Sequence, residues 1–439
     1  MSLPPGPSLP PPVQSLIWST RPLPFMRLCQ RRYGDLFTVR LAGFGALVFI
    51  SHPDGIEQVF KAAPGVLAAG EGNHILEPVL GRASILLLDG DRHRRTRRLM
   101  MPAFHGRRMR AYGEIIRQAT LRATEGWAPG NEVRFHDATQ RISLDVILRA
   151  VFGIEDEGLA EARDIITALS ERATSATVYF PMMRKDLGPG SPGRRFQHHL
   201  GQVDALITDL IARRRASPEG HEDILAMLLA ARDEDGAPMS DGELRDQLIT
   251  LLMAGHETTA TGLSWAMRWL LEAPEADARL RAEVVDAGDI PPDDVAKLPY
   301  LGAVCDEALR LVPVIPIVTR IVKAPITVMG QTLGPGCRVA PCIYLAHHRP
   351  ETFPDPDIFR PERFLEQSFG PYAYLPFGGG ARRCVGMAFA HFEMRIVLAT
   401  LHRRFRLALA GSQRGAARRG ITLAPRDGLP VRVVDAGLN

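Results

Sequence analysis

The sequence PFGGGARRCVGMAFAHFEM (residues 376–394) places three consecutive glycines, two arginines and a cysteine before an apolar stretch with helical spacing. Cys384 lies at the predicted start of this helix, where unpaired backbone N–H groups and the positive end of the helix dipole favour a thiolate. Gly378, Gly380 and Gly386 allow the backbone to fold tightly around the sulfur and allow a flat group to approach closely. The stretch predicts either a reactive or metal-ligating cysteine or, more simply, a buried cysteine after a flexible turn. A phosphate-binding loop is a third interpretation, but the lysine and Ser/Thr of a P-loop are absent.

Composition indicates a large globular protein. The chain has 439 residues, of which 46% are hydrophobic, and no linker or repeat divides it, so we expect one domain over residues 1–439 with a proline-rich, extended segment at residues 1–20. The formal net charge of +4 is too small to indicate a nucleic-acid partner. The five cysteines are dispersed, which argues against disulfides and zinc sites. The sequence has no signal-peptide pattern and no run of about 18 apolar residues, which predicts a cytoplasmic protein without a membrane anchor.

Hydrophobic periodicity predicts a mainly α protein with small β-sheets. Residues 36–51 alternate between apolar and polar side chains around two glycines, as in a β-hairpin. Helical patterns dominate residues 91–312, and the longest begins at Asp241 and stops at Pro274. Short β-prone pieces follow, separated by the proline-rich residues 347–364, which cannot form a regular helix or a central strand.

The stretch AGHETT (residues 254–259) interrupts the apolar pattern in the middle of the longest predicted helix. It places an acid, Glu257, beside a hydroxyl, Thr258, and burying such groups without partners costs about 1 to 3 kcal/mol. The simple interpretation is that Thr258 donates a hydrogen bond to the i−4 carbonyl while Glu257 reaches solvent. The functional interpretation is a proton relay, because a carboxyl and a hydroxyl in sequence can deliver protons into a site that is otherwise closed to water.

The full pattern F-G-x-G-x-R-x-C-x-G, which runs from Phe377 to Gly386, resembles the haem-thiolate loop of the cytochrome P450 superfamily. The resemblance covers nearly the whole chain, since an arginine-rich helix, an acid-alcohol pair, an E-x-x-R helix and a proline-rich meander come in the family's order. It implies the cytochrome P450 fold and a haem b cofactor with the Cys384 thiolate as axial ligand. The residues that it places around the haem are Phe377, Gly378 and Gly386 in the loop, and His93, Arg97, Arg320 and Arg382 on the propionates.

The resemblance also implies roles for residues outside the loop. Glu257 and Thr258 match the family's acid-alcohol pair and would deliver protons during O2 cleavage. Glu307 and Arg310 of the E-x-x-R helix would form a buried ion network with Arg363 of the meander, joining the helix to the cysteine loop. For a lone E-x-x-R pair, the simple alternative is a solvated ion pair worth at most about 1 kcal/mol.

These roles imply a monooxygenase that uses O2 and two externally supplied electrons to hydroxylate C–H bonds of a hydrophobic small molecule. A ferredoxin or flavodoxin with its NAD(P)H reductase would supply the electrons to a monomeric enzyme. Apolar side chains in the segments that line the family's pocket favour a terpenoid, a steroid or a fatty acid. These side chains are Leu76, Val79, Leu80, Ile85, Val178, Phe180, Met182, Ala254, Val314, Ile315 and Ile317. The alternatives are a peroxide-driven or non-oxygenating haem-thiolate enzyme, and a haem protein that binds a ligand without turnover.

Residues 92–98 contain five arginines. The simple interpretation is a solvated, cationic helix face. As a hypothesis, several of these residues form a basic patch that attracts an acidic electron donor, an effect that salt would weaken. The residues of this patch are Arg94, Arg95, Arg98, Arg107, Arg108 and Arg383.

Overall fold

The structure is a computed structural model that describes residues 3–104, 108–173, 181–411 and 415–437. The helices are α1 (Pro11–Thr20), α2 (Pro22–Tyr33), α3 (Pro53–Phe60), α4 (Ala69–Gly72), α5 (Glu77–Leu80), α6 (Gly90–Met100), α7 (Arg108–Ala123), α8 (Phe135–Ala150), α9 (Asp156–Ala173), α10 (Pro192–Ala216), α11 (Ile224–Ala230), α12 (Asp241–Glu272), α13 (Pro274–Asp286), α14 (Pro292–Val295), α15 (Pro299–Leu311), α16 (Ile343–Ala346), α17 (Arg363–Glu366) and α18 (Met387–Arg404). Short 3-10 turns lie at His74–Leu76, Met101–Phe104, Pro181–Arg184 and Gly380–Arg382.

The strands form small sheets, as predicted. They are β1 (Leu36–Leu41), β2 (Gly45–Ile50), β3 (Leu67–Ala68), β4 (Glu132–Arg134), β5 (Arg320–Val322), β6 (Ile326–Val328), β7 (Gln331–Leu333), β8 (Arg338–Pro341), β9 (Phe405–Leu409), β10 (Ala416–Arg419), β11 (Thr422–Pro425) and β12 (Pro430–Ala436). The largest sheet has the strand order β1-β2-β8-β5-β3. The others contain β4-β12-β9, β6-β7 and β10-β11.

The predicted hairpin at residues 36–51 is confirmed, since β1 and β2 pair antiparallel along their length. Gly43 in its turn and Gly45 at the start of β2 have φ angles of 79° and 78°, in the left-handed region that favours glycine. The buried face carries Phe37 and Phe49, whose rings stack with their centroids 5.1 Å apart. The other face is buried as well, because Val48 and Ile50 are 0% exposed and belong to a second core cluster.

The N-terminal segment differs from the extended conformation that its prolines predict. Residues 11–20 form α1, with the prolines in the first turn, where a missing N–H leaves no helical hydrogen bond unmade. Trp18 is buried and packs edge-on against Phe49, with 5.7 Å between the ring centroids. Buried Gln14 accepts a hydrogen bond from the Arg40 N–H at 2.9 Å. The prolines are therefore compatible with the start of a helix, and the burial of one helix face stabilises it.

Helix α12 lies at the centre of the main hydrophobic core and packs against α8, α15, α18 and β11. It begins at Asp241 as predicted, but the capping residue is Ser240. The Ser240 hydroxyl accepts the Glu243 N–H at 3.3 Å, and the Glu243 carboxylate accepts the Ser240 N–H at 2.9 Å. The 32 residues of α12 give it a length of roughly 48 Å. The polar stretch at residues 254–259 therefore lies near the middle of the helix.

Candidate active site

The glycine-rich loop before α18 holds Cys384 by backbone contacts. The Cys384 N–H donates to the Phe377 carbonyl at 3.0 Å, which closes the loop. Gly378 has a φ of 68°, which favours glycine, and an added Cβ at Gly379 would lie 2.8 Å from the ring of Phe60. At Gly378 and Gly386 an added Cβ would meet no protein atom within 4 Å. The loop therefore needs its glycines for conformation and close packing, and it leaves open space beside the cysteine.

The Cys384 thiol is accessible although protein atoms surround it, as expected for a side chain on the floor of a cleft. Burial among these atoms raises the pKa of the thiol, while the Gly386 N–H and the guanidinium groups of Arg97 and Arg383 lower it. The start of the helix thus lowers the pKa of Cys384, as predicted, but burial raises it by more. Without a ligand, the side chain is therefore a neutral thiol. Because a coordinating thiol loses its proton, a bound metal cation would supply the missing stabilisation.

The structure brings together the four cationic or basic residues that the resemblance implies, His93, Arg97, Arg320 and Arg382. Burial, reinforced by the three guanidinium groups, lowers the pKa of His93 to about 4. Burial and then repulsion from Arg382 lower the pKa of Arg320 to about 10. Asp89 is the one carboxylate among these electrostatic neighbours of His93. Three cations against one carboxylate leave an excess of positive charge, which an anion with two carboxylates would offset.

Asp89 is a residue of this cluster that sequence reasoning missed. It directly precedes α6 and would be taken as its N-cap, yet its side chain makes no capping bond there. Its carboxylate forms an ion pair with Arg382. The same carboxylate accepts three backbone N–H groups at 2.9 to 3.2 Å, those of Ala69, Gly70 and Glu71. Asp89 therefore attaches the loop that carries Arg382 to α4.

The acid-alcohol stretch of α12 borders a cleft. Ala254 is exposed in the middle of this otherwise buried helix. The Thr258 hydroxyl donates to the Ala254 carbonyl at 2.6 Å, which is the i−4 bond of the simple interpretation. The Glu257 carboxylate does not extend into solvent but accepts a hydrogen bond from the Thr422 hydroxyl at 3.3 Å. Burial raises the pKa of Glu257, and Arg419 and Thr422 oppose this effect.

The E-x-x-R helix forms the buried ion network that the resemblance implies. Arg310 donates two hydrogen bonds to the Glu307 carboxylate at 2.7 and 2.8 Å, and Arg363 donates one at 3.0 Å. All three side chains are at most 1% exposed. Arg310 also donates to the carbonyl of Pro356 at 2.8 Å. The solvated ion pair of the simple alternative is therefore excluded, and the network holds residues 354–363 against α15.

His347 links this network to the cysteine loop, a contact that the sequence did not indicate. Its carbonyl accepts a hydrogen bond from Arg310 at 2.9 Å, and its ring Nδ1 lies 3.2 Å from the Arg310 carbonyl. Its Nε2 accepts the N–H of Leu375 at 2.9 Å. Burial keeps the pKa of His347 well below its ordinary value, so the ring is neutral and can accept this bond. A hydrogen-bonded path therefore runs from α15 to the start of the cysteine loop.

Apart from Ala254, which is exposed on α12, the predicted pocket residues fall into three groups. Most of them belong to the main core cluster or lie against it, namely Leu76, Val79, Leu80, Ile85, Val314 and Ile315. Ile317 packs instead against the cluster that contains Phe37 and Phe49, which separates it from the others. Val178 and Phe180 lie outside the described residues, as does the side chain of Met182.

The basic patch predicted on α6 is largely neutralised, so this prediction is wrong for three of its members. Arg95 pairs with Asp233 and, at 3.1 Å, with Glu243. Arg94 pairs with Asp91, and Arg98 pairs with Glu234. The acidic segment before α12 lies across α6, and its sequence DED at residues 233–235 was the available signal. Arg107 and the side chain of Arg108 lie outside the described residues, and Arg383 is exposed.

Two features of the site call for ligands of opposite kinds. The cluster around His93 needs an anion, and Cys384 needs a metal cation. An iron porphyrin supplies both in one flat molecule, and the open space beside Gly378 and Gly386 suits such a group. The fold and the site therefore define a haem-thiolate protein. The cytochrome P450 family model matches residues 4–426, and the chain belongs to this family of monooxygenases, with haem as cofactor and the Cys384 thiolate as its axial ligand.

Individual relatives agree with the family. Cytochrome P450 135B1 of Mycobacterium tuberculosis is 40% identical over 439 residues, which cover 99% of this chain and 92% of the relative. Cytochrome P450 135A1 of the same species is 38% identical over 442 residues, which cover 98% of this chain and 95% of the relative. The solved structure of retinoic acid-bound cyanobacterial CYP120A1 is 27% identical, with a TM-score of 0.86 over 98% of this chain and 99% of that chain. The predicted cytochrome P450 fold is therefore confirmed.

A membrane-spanning helix was not expected from the sequence. None of the helices formed by the described residues is both long and apolar enough to cross a bilayer.

Proposed function

We propose that this cytochrome P450 uses O2 and two electrons from an external donor to hydroxylate C–H bonds of a hydrophobic small molecule such as a terpenoid, a steroid or a fatty acid. The observation that carries the proposal is the acid and the hydroxyl, Glu257 and Thr258, on α12 beside the accessible Ala254. A haem protein that only binds a ligand has no need of this pair. The retinoic acid bound to CYP120A1, a largely apolar molecule, supports an apolar guest.

The residues around the cofactor would bind and orient it. Haem, when bound, supplies the activation of O2, and its thiolate ligand favours cleavage of the O–O bond. Arg97, Arg320 and Arg382 would hold the propionates through charge-assisted hydrogen bonds. His93 would contribute a hydrogen bond from its ring N–H. Phe377, Gly378 and Gly386 would form the floor of the site below the haem.

Glu257 and Thr258 would control proton delivery. Because burial raises the pKa of Glu257, its carboxyl retains a proton at higher pH than an exposed glutamate does. The Thr258 hydroxyl, bonded to the Ala254 carbonyl, can rotate its hydrogen toward the cleft and accept a proton in exchange. Together they would provide a proton donor beside the accessible Ala254.

Thr258→Ala is expected to reduce product formation by about 10²-fold while NAD(P)H oxidation continues, since a missing general acid typically costs this much. The electrons would leave as hydrogen peroxide. The measurement is the ratio of product and of peroxide to NAD(P)H consumed, with a compound that shifts the haem spectrum as substrate. Thr259→Ala is the matched control, because Thr259 makes the same i−4 bond, to Gly255 at 3.0 Å, from a buried position. An unchanged product ratio in Thr258→Ala would contradict the relay.

The proposed electron donor is a ferredoxin or a flavodoxin with its NAD(P)H reductase. Arg383 is exposed next to Cys384, whereas Arg94 is already paired with Asp91. We therefore expect Arg383→Glu to slow reduction several-fold at low salt and Arg94→Glu to change it little. Stopped-flow reduction under carbon monoxide measures both rates. Equal effects of the two variants would place the donor elsewhere.

A further inference from the structure

The β10–β11 hairpin contacts the acid of α12, although no local sequence pattern connects the two. Thr422, which is 3% exposed, begins β11 and directs its hydroxyl to the Glu257 Oε1 at 3.3 Å. The same hydroxyl lies 2.8 Å from the carbonyl oxygen of Arg419, the residue opposite it on β10. The Glu257 carboxyl is thus held by the hairpin.

The Thr422 hydroxyl has one hydrogen and faces two acceptors, so its bonding must follow the state of Glu257. When Glu257 is protonated, its own O–H can donate to the Thr422 oxygen, and the Thr422 hydrogen is left for the Arg419 carbonyl. When Glu257 is ionised, its carboxylate can only accept, and the Thr422 hydrogen has to turn toward it. The hydroxyl therefore satisfies either protonation state by a rotation, without movement of the backbone.

The hairpin is anchored firmly enough to fix this geometry. The Trp265 indole N–H of α12 donates to the Leu423 carbonyl at 2.7 Å. The Leu423 N–H donates to the Val314 carbonyl at 2.9 Å. Trp265 and Leu423 are both at most 2% exposed. Leu423 of β11 is therefore hydrogen-bonded both to the helix that carries Glu257 and to the segment that carries the predicted pocket residue Val314.

Arg419, which lies opposite Thr422 on β10, is the charged group that acts on Glu257 among the described residues. Its guanidinium group lowers the pKa of Glu257 against the larger effect of burial. Two histidines also lie in this neighbourhood, His256 on α12 and His136 on α8, whose ring is close enough to Arg419 and His256 to feel their charges. Burial lowers the pKa of both, that of His136 to about 3, so both rings are neutral near pH 7.

We propose that the β10–β11 hairpin positions the acid of the proton relay: the Thr422 hydroxyl orients the Glu257 carboxyl, and the Arg419 guanidinium stabilises the carboxylate that remains after a proton has left. The proton passes from the Glu257 O–H toward the cleft, Thr422 rotates its hydrogen onto the carboxylate, and a proton from solvent later restores the acid. The inference rests on the proposed function for the destination of the proton. Thr422 and Arg419 are positioning residues and do not touch the reacting atoms.

The test is an infrared pH titration of the Glu257 carboxyl in the holoenzyme, with the carbonyl band assigned by its loss in Glu257→Gln. Thr422→Val and Arg419→Gln should each move the titration midpoint to higher pH, because each removes a group that stabilises the carboxylate. Thr422→Ser, which keeps the hydroxyl, should restore the wild-type midpoint. Arg418→Gln is the matched charge control, since Arg418 lies on the same strand but places its guanidinium 5.2 Å over the ring of Trp18.

An unchanged midpoint in both Thr422→Val and Arg419→Gln would overturn the proposal, as would an equal rise in Arg418→Gln. Arg419 is only half-buried, so Arg419→Gln decides the matter should Thr422→Val fail to fold. The titration needs no turnover. A failed monooxygenase assay would therefore refute only the proposed function. A Glu257 titration midpoint that is the same in the wild type and in both hairpin variants would refute only the role of the hairpin.

Discussion

Cys384→Ser should lose completely the strongly red-shifted Soret band of the dithionite-reduced, carbon monoxide-bound protein. The band reports thiolate ligation, and a serine hydroxyl cannot replace the soft, electron-donating sulfur. The loop itself should remain, because the bond from residue 384 to the Phe377 carbonyl uses only the backbone. Haem should still bind through the cationic cluster, so that the variant shows a Soret band at shorter wavelength.

Cys337→Ser is the control for this experiment. Cys337 is a half-buried free cysteine beside β8, and its replacement should leave the red-shifted band in place. The remaining cysteines are buried, and burial raises the pKa of Cys29 to about 11 and those of Cys305 and Cys342 to about 12, which makes them poor thiolates. A red-shifted band that persists in Cys384→Ser would contradict the ligation and every role assigned around it.

The sequence could predict the parts of the site whose geometry is local. The cysteine loop is closed by a bond between residues only seven positions apart, and the positive φ angles of Gly378 and Gly380 are local to the loop. The close packing of Gly379 against Phe60 is not local. Glu307 and Arg310 are three positions apart on one helix, which places them on the same face. Their burial and their tie to Arg363 followed from the resemblance alone, because a helical i,i+3 pair is equally compatible with solvent.

The parts that escaped prediction depend on contacts between distant segments. Thr422 lies 165 positions from Glu257, and no local pattern shows that a short hairpin returns to the central helix. The acids that pair with Arg95 and Arg98 of α6 lie 136 to 148 positions away, so that a run of cations appeared to be a free surface. In both cases the pairing is set by the packing of α12 against its neighbours rather than by helix or strand propensity.

Glu307→Gln is expected to lower the free energy of unfolding by roughly 3 to 5 kcal/mol, the usual effect of removing one partner from a buried ion network. The substitution keeps the volume but removes the negative charge, and it leaves Arg310 and Arg363 buried without a counter-charge. The backbone carbonyls that these arginines also contact, such as that of Pro356, compensate only in part. Surface ion pairs offer no comparable effect, because water and salt screen them.

Glu307→Gln should loosen the loop around Cys384 before the helices unfold. His347 is hydrogen-bonded both to Arg310 of the network and to the Leu375 N–H at the start of the loop. In a denaturant titration of Glu307→Gln, the red-shifted carbon monoxide band should therefore disappear at a lower concentration than the far-ultraviolet circular dichroism signal. Glu366→Gln is the matched control, since its ion pair with Arg360 is about half exposed and should contribute at most about 1 kcal/mol. Coincident transitions, or equal destabilisation by both variants, would show that the network does not hold the cysteine loop.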